Sequence, residues 1–242
     1  MKYNILAKIK LKLVYLSAKE MSLSFIGGHF LETTSIKKDD IVFDLGGNLG
    51  NFSKAIIEKF GCNCYVVEPN PQLFEQLPNH PKVIPLNYAI TKSEGDVEFN
   101  ISDNHEASSI FFSIASTWNH KKTIVVKGRT LKRLIDECNI QNNFCILKVD
   151  IEGAELELFK SLSDIDICSF KQITVEFHES LDSSLSSETY ATIRRISNLS
   201  FLTIVTSTSK YSEVLFLNKR HFKFNFYKRF WYLIHRLVAH KD

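Results

Sequence analysis

Two groups of residues in this 242-residue sequence carry chemistry in their type and spacing. The first is Asp44-Leu45-Gly46-Gly47-Asn48-Leu49-Gly50, with Glu68-Pro69-Asn70 following 24 residues after Asp44. Glycines here let the backbone turn tightly and come close to a ligand. A pyrophosphate loop reads GxGxxG and brings negative charge onto a helix N-terminus. This one reads DxGxNxG, with an acid at its mouth, and so suits a ligand that carries positive charge, such as an ammonium and a sulfonium. Glu68 can accept both hydroxyls of an adenosine ribose. Together these features favour S-adenosylmethionine over a nicotinamide dinucleotide.

The second group is Lys148, Asp150, Glu152 and Glu155, joined by Glu176 and His178. Methyl transfer from a sulfonium is an in-line displacement on an activated donor. The protein must align the partners and take a proton from a weakly acidic acceptor hydroxyl. His178 is the first candidate for that base, with Glu176, two residues away on the same strand face, orienting it or the acceptor; Asp150 is the next. Lys148, Glu152 and Glu155 are expected beside the acceptor, the two glutamates in the first turn of a helix, where the dipole favours them. Asp150, Glu176 and His178 could instead hold Mg²⁺, the less favoured arrangement. The polar segment 102–120, with Ser102, Ser108, Ser109, Asp103, Asn104, His105, Trp118 and His120, suits a sugar acceptor.

Such groups must be held by a framework, and the chain supplies an alternating one. Short apolar runs at 41–45, 64–67, 83–86, 144–149, 173–177, 201–205 and 213–217 read as strands, separated by helices at 52–60, 71–77, 130–138, 154–162 and 188–199. Residues 96–101 and 122–127 alternate with period two, with 102–120 a loop inserted in the sheet layer. The expectation is an α/β, doubly wound, Rossmann-like sheet with helices on both faces, its site beyond the carboxyl ends of the central strands. Ile5, Ile9, Leu13 and Leu16 predict an amphipathic helix over 4–19, and 222–240 also looks helical. The chain divides into a basic N-terminal helix and lead-in (1–38), a catalytic domain (39–218) and a basic aromatic C-terminal helix (219–242).

Phe43 to Gly50, Val67-Glu68-Pro69-Asn70-Pro71, Asn87-Tyr88-Ala89-Ile90, Leu147-Lys148-Val149-Asp150-Ile151-Glu152-Gly153-Ala154-Glu155 and Val175-Glu176-Phe177-His178 together resemble the FkbM-type methyltransferases in order and spacing. The resemblance covers roughly 40–217, and its most specific part is the DIEGAE element. It implies a class I methyltransferase fold of seven strands, the last antiparallel, and O-methylation, often of sugar, glycan or natural-product hydroxyls. It also implies that Asp44, Gly46, Asn48, Gly50 and Glu68 bind S-adenosylmethionine, with Asn87 and Ala89 near the adenine; Gly47 and Asn70 complete the same two loops. The alternatives are another small-molecule hydroxyl as acceptor, or a catalytically inactive domain that binds the cofactor.

Hydrophobic residues make up 44% and charged residues 24%, which excludes a disordered chain, a fibre or a disulfide-stapled mini-protein. The five cysteines, odd in number and without a CxxC pair, read as buried free thiols of a cytoplasmic protein. No apolar run is long enough to span a bilayer, and Lys8, Lys10 and Lys12 interrupt what would be a secretory leader. The net charge of +3 conceals +6 in residues 219–242, +4 in residues 1–20 and −7 between them. An acidic body, with no Asn-Pro-Pro-aromatic loop after the fourth strand, makes nucleic acid a poor partner. The basic aromatic tail suits the surface of a membrane, or packing on the core or in a homodimer.

Overall fold

The computed structural model describes residues 12–13, 16–103, 108–112, 116, 120–140, 144–178, 186–206, 212–222 and 225–239, with side chains to His235. In chain order the elements are β1 (Leu23–Ile26), β2 (His29–Glu32), β3 (Ile41–Leu45), α1 (Asn51–Phe60), β4 (Asn63–Val67), α2 (Pro71–Phe74) and β5 (Val83–Leu86). Then follow β6 (Ala89–Ile90), β7 (Gly95–Ser102), β8 (His120–Arg129), α3 (Leu131–Glu137), β9 (Phe144–Val149), α4 (Glu155–Ser161) and α5 (Asp164–Cys168). The last are β10 (Gln172–Glu176), α6 (Ser186–Asn198), β11 (Phe201–Val205), β12 (Glu213–Asn218) and α7 (Phe226–Ala239).

The main sheet has seven strands in the order β11-β12-β10-β9-β3-β4-β5. All described neighbours pair in parallel except β12, which runs antiparallel to both β10 and β11. This is a Rossmann-like, doubly wound sheet, and the strand order reverses between β3 and β9, where such sheets bind ligands. Alternation along each strand divides its side chains between two cores. Phe43, Leu45, Leu147, Val149, Ile173 and Val175 meet α3, α4 and α6 on one face. On the other face Val42, Val66 and Ile146 meet α1 and the β1–β2 hairpin through Phe52, Ile56, Ile26 and Leu31. The side chains that alternate with the first core, Asp44, Lys148, Thr174 and Glu176, therefore point to the hairpin side.

Three expectations need correction. The segment before residue 38 holds a hairpin as well as a helix: Leu23–Ile26 and His29–Glu32 pair antiparallel across Gly27 and Gly28, both at positive φ, which a two-residue turn of this kind requires. β7 and β8 do not enter the main sheet layer. They pair with each other, and β8 with β6, in a separate three-stranded sheet, because Phe99, Ile101 and Val126 close a small core of their own with Ala89. Leu16 is exposed rather than part of an apolar stripe, whereas Ala18 and Met21 are buried against Ile204 and Leu217. Ile5 and Ile9 lie outside the described residues, as do Asn104, His105 and Trp118. All five cysteines are free.

Candidate active site

Lys148 is the centre of the polar row. Its Nζ lies 3.2 Å from Asp44 Oδ1 and 3.4 Å from Asp150 Oδ2, and donates to the carbonyls of Gly46 (2.6 Å) and Leu45 (3.3 Å). Burial pushes its amine down, but Asp44 and Asp150 outweigh burial and hold it above its ordinary value. Asp44 also accepts the Ser53 hydroxyl at 2.6 Å and is fully buried. It lies beneath the loop and does not reach the cavity wall. The sequence expectation that Asp44 faces a cationic ligand is thus corrected: the cation it faces is Lys148.

The glycine loop is shaped by protein neighbours. Gly46 and Gly47 both donate to the Val67 carbonyl, at 3.0 and 2.9 Å. A Cβ on Gly46, whose φ is +80°, would sit 1.7 Å from the Asp150 carbonyl oxygen. On Gly47 it would meet Val66, and on Gly50 it would meet Pro78. These glycines therefore let the first strand turn press against its two neighbours. Glu68 braces the loop from the next strand: its carboxylate accepts the backbone N–H of Asn48 and of Asn70, each at 2.8 Å. Burial pushes Glu68 up to about 7, against the pull of those two donors. Asn70 caps α2 by accepting from Gln72 N–H at 3.1 Å, and Asn87 donates to the Glu68 carbonyl at 2.8 Å. Both shape the turn rather than line the cavity.

A single cavity of about 550 Å³ joins these parts, a size ordinary for a small-molecule site. Of the expected residues Gly46, Gly47, Asn48, Glu68, Ala89, Ser108, Lys148, Asp150, Glu152 and Glu176 line it. Ser102, Ser109, Glu155 and His178 stand behind the wall. Ser102 N–H donates to Ser108 Oγ at 3.2 Å, and Ser109 Oγ donates to the Glu152 carbonyl at 2.5 Å, which ties the β7–β8 insertion to the site. The wall also includes His29, Phe52 and Tyr88, which sequence reasoning missed. The signal for His29 was present in Gly27-Gly28 between two apolar runs, a hairpin signature. Tyr88 stood inside a quoted motif; the Arg129 guanidinium covers its ring at 5.0 Å.

The acidic end is organised around His178. Its Nδ1 is 3.0 Å from Glu155 Oε1, and its Nε2 is 3.1 Å from Glu152 Oε2 and 4.0 Å from Asp150 Oδ1. Glu155 also accepts the backbone N–H of Gly153 at 2.9 Å. Burial would lower the imidazole, but Glu155, Glu152 and Asp150 raise it to about 10. Burial and neighbouring negative charge push Glu152 up to about 8 and Glu176 up to about 7. With these carboxylates around one imidazole, the cluster keeps a proton at neutral pH. Both ring nitrogens of His178, the first candidate for the base, are thus engaged by carboxylates, and its side chain does not line the cavity. The expectation for Glu152 is corrected: it stands at φ 49° in the turn before α4, not in the helix. Asp150, Glu152 and His178 each present one ligand atom, all within 4.8 Å of one another, and could hold a divalent ion once His178 gave up its proton.

The sequence matches the family described as "Methyltransferase FkbM domain" over residues 44–202. It is 29% identical over 155 residues to the hexuronic acid methyltransferase AglP of Haloferax volcanii, a match covering 60% of this chain; the chain spans 59% of that relative's length. Among solved structures it is similar to the Methanococcus jannaschii fibrillarin pre-rRNA processing protein, with TM-score 0.42 and 12% identity over 76% of this chain and 67% of that one. A fibrillarin/Nop5p complex gives TM-score 0.41 and 14% identity over 78% and 75%.

Proposed function

The chain belongs to the FkbM methyltransferase family, and on that premise we propose that it transfers the methyl group of S-adenosylmethionine to a hydroxyl of a sugar, in a glycan or glycoconjugate. The observation that carries this reading is the continuity of one cavity from the glycine loop and Glu68 to Asp150, Glu152 and Glu176. Glu68 fits the cofactor: a buried carboxylate raised to about 7 gains from hydroxyl donors such as those of a ribose. Gly46, Gly47, Asn48, Glu68 and Ala89 would hold the cofactor, with Tyr88 beside them. When bound, S-adenosylmethionine supplies a methyl group already activated on sulfur.

At the other end Asp150, Glu152 and Glu176 offer hydrogen-bond acceptors to sugar hydroxyls and so orient the nucleophilic oxygen. Lys148, committed to Asp44 and to two carbonyls, is not free to pair with a carboxylate on the sugar. The acceptor expected from this chemistry is a hydroxyl of a neutral sugar, which differs from the hexuronic acid in the name of the Haloferax relative. The test is calorimetric titration with S-adenosylmethionine, S-adenosylhomocysteine and NAD, followed by methyl transfer to a panel of neutral hexosides and uronides. Saturable binding of the first two and turnover on neutral hexosides supports the reading. Binding of NAD instead, or turnover confined to uronides, contradicts it.

A membrane partner is part of the same proposal. α7 carries two stripes: Trp231, Tyr232 and His235 turn toward the protein, with His235 buried, while Phe226, Arg229, Phe230 and Leu233 face outward. No helix among the described residues is long and apolar enough to cross a membrane. An outward aromatic stripe with basic neighbours fits an anionic lipid surface, to which a peripheral helix binds by its apolar face and its charge together. Sedimentation with anionic vesicles at low salt, lost in Phe226→Ser/Phe230→Ser, is expected. A wild-type protein that stays in the supernatant rules the surface out.

A further inference from the structure

Resting on the methyltransferase reading, we propose that His29, at the tip of the N-terminal hairpin, takes the proton from the acceptor hydroxyl. His29 lies outside the stretch that matches the family, residues 44–202, yet it is built into the cavity wall beside Lys148, Asp150 and Glu176. The hairpin is fixed over β10. Gln172 Nε2 donates to the Glu32 carbonyl at 2.9 Å, and Glu32 N–H donates back to Gln172 Oε1 at 3.0 Å. Two residues on along β10, Thr174 Oγ1 lies 3.3 Å from His29 Nδ1, and the next residue on that face is Glu176. The His29 ring also stands edge-on to Phe52, with centroids 5.6 Å apart. These contacts set the ring's plane. Among the described residues none bonds Nε2, the atom left for a ligand.

Two histidines thus stand at one site in opposite electrostatic surroundings. Burial, and then the positive charge of Lys148, lower His29 to about 4, while Asp150 pulls the other way with less effect. The charged groups sharing the cavity with it are Lys148 and Asp150 from the end of β9, Glu176 from β10, Glu152 from the turn before α4 and Glu68 from the end of β4. On its own hairpin, the Glu32 carboxylate is taken by the Thr34 hydroxyl and by Ser35 N–H. Burial therefore favours the neutral form of His29, whereas the carboxylates around His178 favour its charged form. The proposal puts the ring proton on Nδ1, donated to Thr174 Oγ1, which leaves the Nε2 lone pair for the acceptor.

In the step itself an oxygen lone pair of the acceptor forms the new O–CH₃ bond, and the C–S bond breaks with its electron pair passing to sulfur. The hydroxyl proton moves to His29 Nε2, and the imidazolium returns it to solvent after product leaves. Removing a positioned base of this kind costs about 10²- to 10⁴-fold in rate.

The experiment has two arms. In the first, ring ¹⁵N spectra of the full chain assign the His29 signals by their loss in His29→Gln. A neutral ring with the proton on Nδ1 from pH 5 to 8 is expected. A ring protonated at pH 7, or protonated on Nε2, overturns the proposal whether or not cofactor binds. In the second, His29→Ala is compared with wild type by S-adenosylmethionine calorimetry and by turnover on the hexoside and uronide panel. Cofactor affinity within about threefold, kcat lowered about 10²- to 10⁴-fold and partial rescue by added imidazole support the assignment. Turnover within threefold of wild type overturns it. Failure of wild type to bind S-adenosylmethionine strikes the underlying reading alone, and the first arm then decides the role of His29.

Discussion

The two ends of the cavity are built on different principles. At the β3–β4 end the work is done by backbone: glycine carbonyls and amides, two N–H groups on Glu68, and an asparagine cap. Its parts come from two short contiguous stretches. At the β9–β10 end the work is done by side-chain charge, gathered from β9, the turn before α4, and the end of β10. One end is a fixed cradle; the other is a titrating cluster. Lys148 is the seam between them, since it pairs with an acid on each side. The contrast implies that cofactor binding and proton handling can be separated by mutation, except at the seam.

Breaking the seam should have the largest effect. Lys148→Met leaves Asp44 and Asp150 without their buried partner, which typically costs about 3–5 kcal/mol; urea unfolding is expected to show that loss and both functions should fail together. Gly46→Ala strikes the cradle where it presses on the backbone just after β9. The added Cβ overlaps the Asp150 carbonyl at a positive φ, for roughly 2–4 kcal/mol, measured by the same unfolding. Glu68→Ala should leave the acidic end intact and weaken S-adenosylmethionine by about 1.5–3 kcal/mol in calorimetry, the usual worth of hydrogen bonds to a charged group.

The smallest effect sharpens the comparison from the other side. His178 at about 10 lies above its ordinary 6.5, so the folded protein keeps a proton that the unfolded chain loses between those values. Its contribution is full below pH 6.5 and is lost as pH rises through about 10. Glu152, raised from 4.5 to about 8, acts in the same direction over its own window, since the native state must ionise it at a cost. Stability should therefore decline from pH 6.5 to 10, by on the order of 1 kcal/mol for a part-screened pair. His178→Gln should flatten that decline in thermal melts while leaving cofactor affinity within threefold.

The same contrast governs what the sequence makes legible. The main sheet follows from its apolar runs, because the central strands β3, β9 and β10 are buried on both faces. Gly46, Asn48 and Glu68 were recognisable because a backbone cradle has to be contiguous. The roles of Asp44 and His178 were not, since each depends on a neighbour far away in the chain, Lys148 in one case and Glu152 with Glu155 in the other. His29 was hidden for the same reason: Gly27-Gly28 signals a turn, but nothing local says that the turn lies over Thr174. The separate β6–β8–β7 sheet escaped because period-two alternation shows that a strand has two faces and not which sheet it joins.

The most direct test of the account is calorimetric titration of S-adenosylmethionine into wild type, Glu68→Ala and His178→Gln in parallel. Separable ends predict saturable binding in wild type, a loss of about 10- to 100-fold in Glu68→Ala and a change within threefold in His178→Gln. Equal losses in the two variants, or unchanged affinity in Glu68→Ala, would contradict it.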